Sequence, residues 1–154
     1  MRRVGRFVGL AALLGLVAVV SPLTSATGAK GGQTLRFSSR NSDNQFYAVD
    51  VDDSGDENPG DYFVGNFVLR HGGKTRGHLE FQCAVATASP ARRLCHGVAH
   101  VDGQGEFVVE DVAPANAESE RVTITGGTGT FGDASGNGKF VFGRNRIQLT
   151  FKLK

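Results

Sequence analysis

Residues 122–140 read VTITGGTGTFGDASGNGKF, and Gly127, Gly129 and Gly132 within them satisfy the pattern G-x-G-x-x-G. A dinucleotide-binding loop needs the last glycine of that pattern to open a helix inside a strand–helix–strand unit, because the helix amides meet the pyrophosphate. Here Gly132 runs into DASGNGKFVFG, with further glycines and then a strand pattern. Neither a helix nor a cofactor is expected. The glycines read instead as a wide connection that needs positive φ or close chain approach before an all-β fold closes.

The rest of the chain has the matching rhythm. Period-two alternation, the mark of a strand with one apolar face, is clearest at Arg146–Lys154, where Ile147, Leu149, Phe151 and Leu153 share a face. It recurs at Leu35/Phe37, Phe63/Phe67/Leu69, Leu79/Phe81/Cys83/Val85, Cys95/Gly97/Ala99/Val101, Phe107/Val109 and Phe140/Phe142. With NQFYAVDV (44–51) these make about eight strands. An antiparallel meander of this kind hides its apolar faces by packing two sheets or by closing into a barrel. An eight-stranded barrel is filled by side chains or holds one small ligand.

The N-terminus predicts a leader. Arg2, Arg3 and Arg6 precede the apolar run VGLAALLGLVAVV, then Pro22 and the small residues TSATGA. This is the layout of a secretory signal peptide cut after Ala26 or Ala29, and the apolar run is shorter than the ~18–20 residues of a membrane span. The expected organisation is a signal peptide at 1–29 and one secreted domain at 30–154, with no membrane contact after processing. Of 17 Lys+Arg the leader takes three, leaving 14 against 15 Asp+Glu, a net charge of −1. Such a balance, without clustered Lys/Arg, excludes a nucleic-acid partner.

Cys83 and Cys95 flank TASPARR. In a hairpin centred on residue 89 they face each other within disulfide range, and export supplies the oxidising compartment.

The glycine-rich stretch resembles the ITGGTG-x-[YF]-x-G-A-x-G segment shared by plant dirigent proteins, allene oxide cyclases and related secreted bacterial proteins. NPGDYFVGNFVLRHGGKTRGHLEFQC (58–83) is similar to that superfamily's passage from a GD turn to a Gly-rich strand ending in Cys. The similarity covers about residues 44–154. It implies an all-β, eight-stranded antiparallel β-barrel with an apolar cavity, commonly a homotrimer, whose members steer cyclisation or coupling of small hydrophobic molecules without a cofactor. The cyclases' catalytic set carries over poorly: Ala48 stands where the first-strand Glu should be, and Asp50 takes the place of an Asn. Asn66 approaches the second Asn with a one-residue gap, and Cys83 matches the cavity Cys. Asp50 and Asn66 are thus the candidate catalytic residues, and Phe67, Phe81, Phe107, Phe140 and Phe142 the candidate ligand-binding residues.

Other polar groups are read more plainly. In DVDDSGDENPGD (50–61), oxygens fall at the offsets of a calcium loop, but Asp61 replaces the bidentate Glu and Pro59-Gly60 intrudes, so a solvated turn without metal is expected. His71, His78, His96 and His100 read as exposed strand residues, and Arg92-Arg93 as solvated edge residues. Three functions stay open: a secreted barrel binding a small hydrophobic molecule, a cofactor-free cyclase or isomerase using a polar group such as Asp50, and a filled structural barrel.

Overall fold

The alternation seen in the sequence becomes the wall of a closed barrel. The computed structural model describes residues 32–114 and 116–154; the expected leader lies outside them. Nine strands follow in order: β1 Thr34–Arg40, β2 Gln45–Val49, β3 Tyr62–His71, β4 Lys74–Ala88, β5 Ala91–Val101, β6 Gly105–Pro114, β7 Ser119–Gly127, β8 Gly136–Phe142 and β9 Arg146–Leu153. Every pairing between them is antiparallel, sequential neighbours from β2 to β9 pair in turn, and β1 closes the sheet by pairing with both β9 and β3.

Nine segments make eight barrel strands, because β1 and β2 are halves of one. Both run antiparallel to β3, at Ser38↔Arg70 and Gln45↔Asn66, with the 3₁₀ turn Asn41–Asp43 between them. The cause is local: Asn, Ser and Asp side chains offer the backbone alternatives to a ladder. Asn41 Nδ2 donates to the carbonyls of Gly143 and Arg144, Ser39 donates to Asn44 Oδ1 at 2.6 Å, and Arg70 grips Asp43 at 2.7 and 3.0 Å.

The count of eight stands, but its membership differs from the sequence expectation. Leu35/Phe37 and 44–51 merge into one strand, while Ser119–Gly127, which is not among the expected strands, is a full strand. Val122 and Ile124 are buried there and alternate with exposed Arg121, Thr123 and Thr125, a period-two pattern that the following glycines mask.

Those glycines serve close approach. A Cβ on Gly127 would collide with the carbonyl oxygens of Glu106 and Phe131, and Gly129 sits at φ +61. The turn thereby folds Phe131 under the barrel, fully buried against Phe107 at 5.2 Å, while Thr130 N–H donates to the Gln104 carbonyl at 2.7 Å. Phe151 completes the plug, edge-on to Phe107 at 4.8 Å and Phe140 at 5.7 Å. One end of the barrel is closed by packed rings.

The disulfide joins Cys83 to Cys95, directly opposed on β4 and β5.

Candidate functional site

Above the plug the interior opens. A cavity of about 130 Å³ occupies the half of the barrel nearest the β2–β3, β4–β5 and β6–β7 connections. An apolar cavity of about 150 Å³ accommodates benzene, so the space suits one ring, with the remainder of a larger molecule reaching the mouth.

Inward strand positions build the walls. At one level they run Ala48, Phe63, Cys83, Cys95 and Asp111 around β2 to β6, each paired with the next. Phe67 and Phe81 meet at 4.6 Å, and Phe46 stacks on Phe63 at 5.5 Å. Inward Gly65 leaves room for the Phe81 ring, which a Cβ there would strike, and a Cβ on inward Gly97 would press on the Glu80 carbonyl oxygen and the Leu79 side chain. Phe140 and Phe142 of β8 close the far side, with Leu79, Val109 and Val122 toward the plug.

On the inward register three charged side chains interrupt this apolar lining: Arg93, Asp111 and Glu120. Each sits on the inward register of its strand. Arg93 precedes Cys95 and Gly97, Asp111 follows Phe107 and Val109, and Glu120 precedes Val122 and Ile124. Glu120 lies across from Phe140. Burial, then the nearby Asp111 carboxylate, push the Glu120 carboxyl up to about 7, with Arg93 acting in the opposite sense. Burial likewise raises Asp111, whose Oδ2 is buried and accepts no hydrogen bond. The β6–β7 ladder has its last rung at Glu110↔Thr123, so among the described residues both acids flank a part of the wall without rungs.

Arg93 is held from outside. Glu57, on the connection between β2 and β3, accepts from its Nε at 2.7 Å and its NH2 group at 2.8 Å, and the guanidinium lies 4.3 Å over the Phe63 ring. The same pairing keeps the Glu57 carboxyl below its usual range. Arg93 is therefore a tied cavity residue and not the solvated edge residue expected; Arg92 is exposed.

Of the five candidate phenylalanines, Phe67, Phe81, Phe140 and Phe142 line the cavity. Phe107 is corrected: it is wholly buried in the plug, wedged between Phe131 and Phe151. Phe46 and Phe63 take part instead. The two candidate catalytic residues are not brought together. Asn66 pairs with Gln45 and Glu80 on the register opposite to inward Gly65 and Phe67, so it faces the outer surface.

Asp50 sits in the exposed connection, where its carboxylate accepts from the N–H groups of Asp52 at 3.2 Å and Gly55 at 2.8 Å. The buried Asp61 does similar work, taking the N–H groups of Val51 and Asn58 at 2.9 and 2.7 Å. Carboxylate oxygens of Asp50, Asp52 and Asp61 come within 4.8 Å of one another, but they are engaged as backbone acceptors that shape the loop. The strand histidines lie on the outer face, His78 stacked on His100 at 5.2 Å and His96 beside Glu110 at 3.6 Å.

No protein-family model matches the chain, and no curated protein matches it. Solved structures do. A pyocyanin demethylase is similar with a TM-score of 0.68 at 21% identity, covering 79% of this chain and 100% of its own. Two pterocarpan synthase dirigent proteins superpose with TM-scores of 0.61, at 12% and 11% identity. They cover 79% and 81% of this chain and 82% and 94% of their own. Together with the closed meander and its one-ended cavity, these likenesses establish the fold: an eight-stranded antiparallel barrel of the allene oxide cyclase/dirigent-like type.

Proposed function

We propose that this protein binds a small, largely apolar, ring-bearing molecule in the open half of its barrel and holds it in one conformation. The observation that carries this reading is the cavity, closed below by packed phenylalanines, walled by more of them, and given polar groups only at one side. Such a site binds by excluding water from flat apolar surface and orients by a few polar contacts. A structural barrel with a filled core would not leave this space. The similar solved structures include a demethylase of pyocyanin and synthases of pterocarpan, which is consistent with a small-molecule role.

A second reading, a cofactor-independent isomerase or cyclase, is favoured by one observation. Glu120 faces the cavity with its carboxyl raised to about 7, which suits proton donation or uptake near neutral pH. Glu120 takes the role that the sequence suggested for Asp50. Holding a flexible molecule near its reactive conformer would supply several kcal/mol more, about the scale of intramolecular preorganisation. Export through the N-terminal leader and assembly as a homotrimer accompany this reading as implications of the sequence and the family resemblance; sedimentation of the purified protein tests the trimer.

Binding is tested by solvent extraction of the purified protein followed by mass spectrometry, and by titration with 1-methylnaphthalene while following the melting temperature. A co-purified apolar compound or an upward shift is expected, unchanged in Asp50→Asn and Asn66→Ala. Absence of both refutes the reading, and turnover of a bound compound that Glu120→Gln abolishes selects the enzyme.

A further inference from the structure

The charges at the cavity do not balance. Glu57 neutralises Arg93 through two hydrogen bonds of 2.7 and 2.8 Å, with the guanidinium 4.3 Å over the Phe63 ring. His96 and Glu110, on the outward register of β5 and β6, pair with each other at 3.6 Å. Asp111 and Glu120 are left, and among the described residues neither accepts a hydrogen bond from a basic side chain. Asp111 Oδ2 is a buried acceptor with no donor. A buried polar atom without a partner costs free energy unless something supplies the missing hydrogen bond or charge. The opposite wall consists of phenylalanine rings, whose faces are negative and attract cations.

Resting on the binding function proposed above, we propose that the cavity selects flat aromatic cations over neutral or anionic rings of the same shape, with the phenylalanine faces taking the ring and Asp111 and Glu120 taking its positive charge. Both contacts are desolvated and favour the same ligand. An anionic ring would find Arg93 already occupied by Glu57 and would face two carboxyl groups.

The preference depends on pH. The charged groups that act on Glu120 are Asp111 of β6, which raises its carboxyl, and Arg93 of β5, which lowers it and is itself paired with Glu57 of the β2–β3 connection. With its carboxyl held near 7, Glu120 is protonated at mildly acidic pH and ionises above neutrality. A cation promotes that ionisation, so its affinity rises as pH increases through this range.

Ligand-observed NMR titrations of the purified protein with N-methylquinolinium, 1-methylnaphthalene and 1-naphthoate test the proposal. At about pH 8.5 the cation is expected to bind on the order of tenfold more tightly than the neutral hydrocarbon, as befits a desolvated cation–π contact with a carboxylate alongside, and naphthoate most weakly. Its affinity is expected to fall several-fold at about pH 5.5, below the Glu120 transition, while that of 1-methylnaphthalene stays constant. Glu120→Gln flattens the pH dependence, and Asp111→Asn weakens the cation alone. If 1-methylnaphthalene binds as tightly as the cation at both pH values, selectivity for cations is overturned and the binding function stands. If none of the three binds, that function falls as well.

Discussion

Replacing Glu120 with Gln should stabilise this protein at alkaline pH and leave it nearly unchanged in acid. The Glu120 carboxyl, ordinarily at 4.5, is pushed up to about 7 by burial and by Asp111. Below the ordinary value both the folded and the unfolded chain hold the proton, and the group contributes nothing. Between the two values the unfolded chain releases its proton first, so stability falls as pH rises, and above about 7 the whole cost is present. Full conversion of that displacement gives at most about 3 kcal/mol. Glu120 is only partly buried, and solvent screening reduces the cost to about 1–2 kcal/mol. Gln keeps the shape and cannot ionise. Its melting temperature, followed by circular dichroism, should exceed that of the parent by about 4–8 °C near pH 8.5 and match it near pH 4. An equal difference between variant and parent at both pH values would refute the desolvated-carboxyl account, and with it the basis for a proton donor in the cavity.

Two further outcomes test the frame that holds this site. Cys83→Ser/Cys95→Ser removes a link across 12 residues and should cost about 2–3 kcal/mol by denaturant titration, while thiol reagents should leave the non-reduced parent unlabelled. Gly127→Ala, whose Cβ would strike two carbonyl oxygens, should cost about 1–3 kcal/mol or more, whereas Gly126→Ala, with open space around it, should be nearly neutral. Equal effects of the two alanines would show that the Phe131 turn is not held by close backbone approach.

Much of the architecture was legible because strand parity is a local property. In Arg146–Leu153 each apolar residue of the alternation is buried, and the opposed cysteines follow from simple counting across a hairpin. The same counting carried further would have found the acids: Asp111 continues the Phe107/Val109 face, and Glu120 leads into Val122 and Ile124. They were missed because a charged residue at the end of an apolar face ordinarily marks where the strand leaves the core. Arg93 was lost for the same reason.

The sequence by itself determined an all-β chain with one apolar face per strand, the disulfide partners and the absence of a helix after Gly132, since each depends on residues near in the chain or on period two. Only the tertiary structure decided which end of the barrel is plugged and which is open. That outcome depends on Phe131 reaching back under Phe107, which packs in turn on Phe151, and on Glu57 crossing from a loop to take Arg93. These contacts join residues far apart in sequence, and no local pattern encodes which distant partner a ring or a guanidinium will meet.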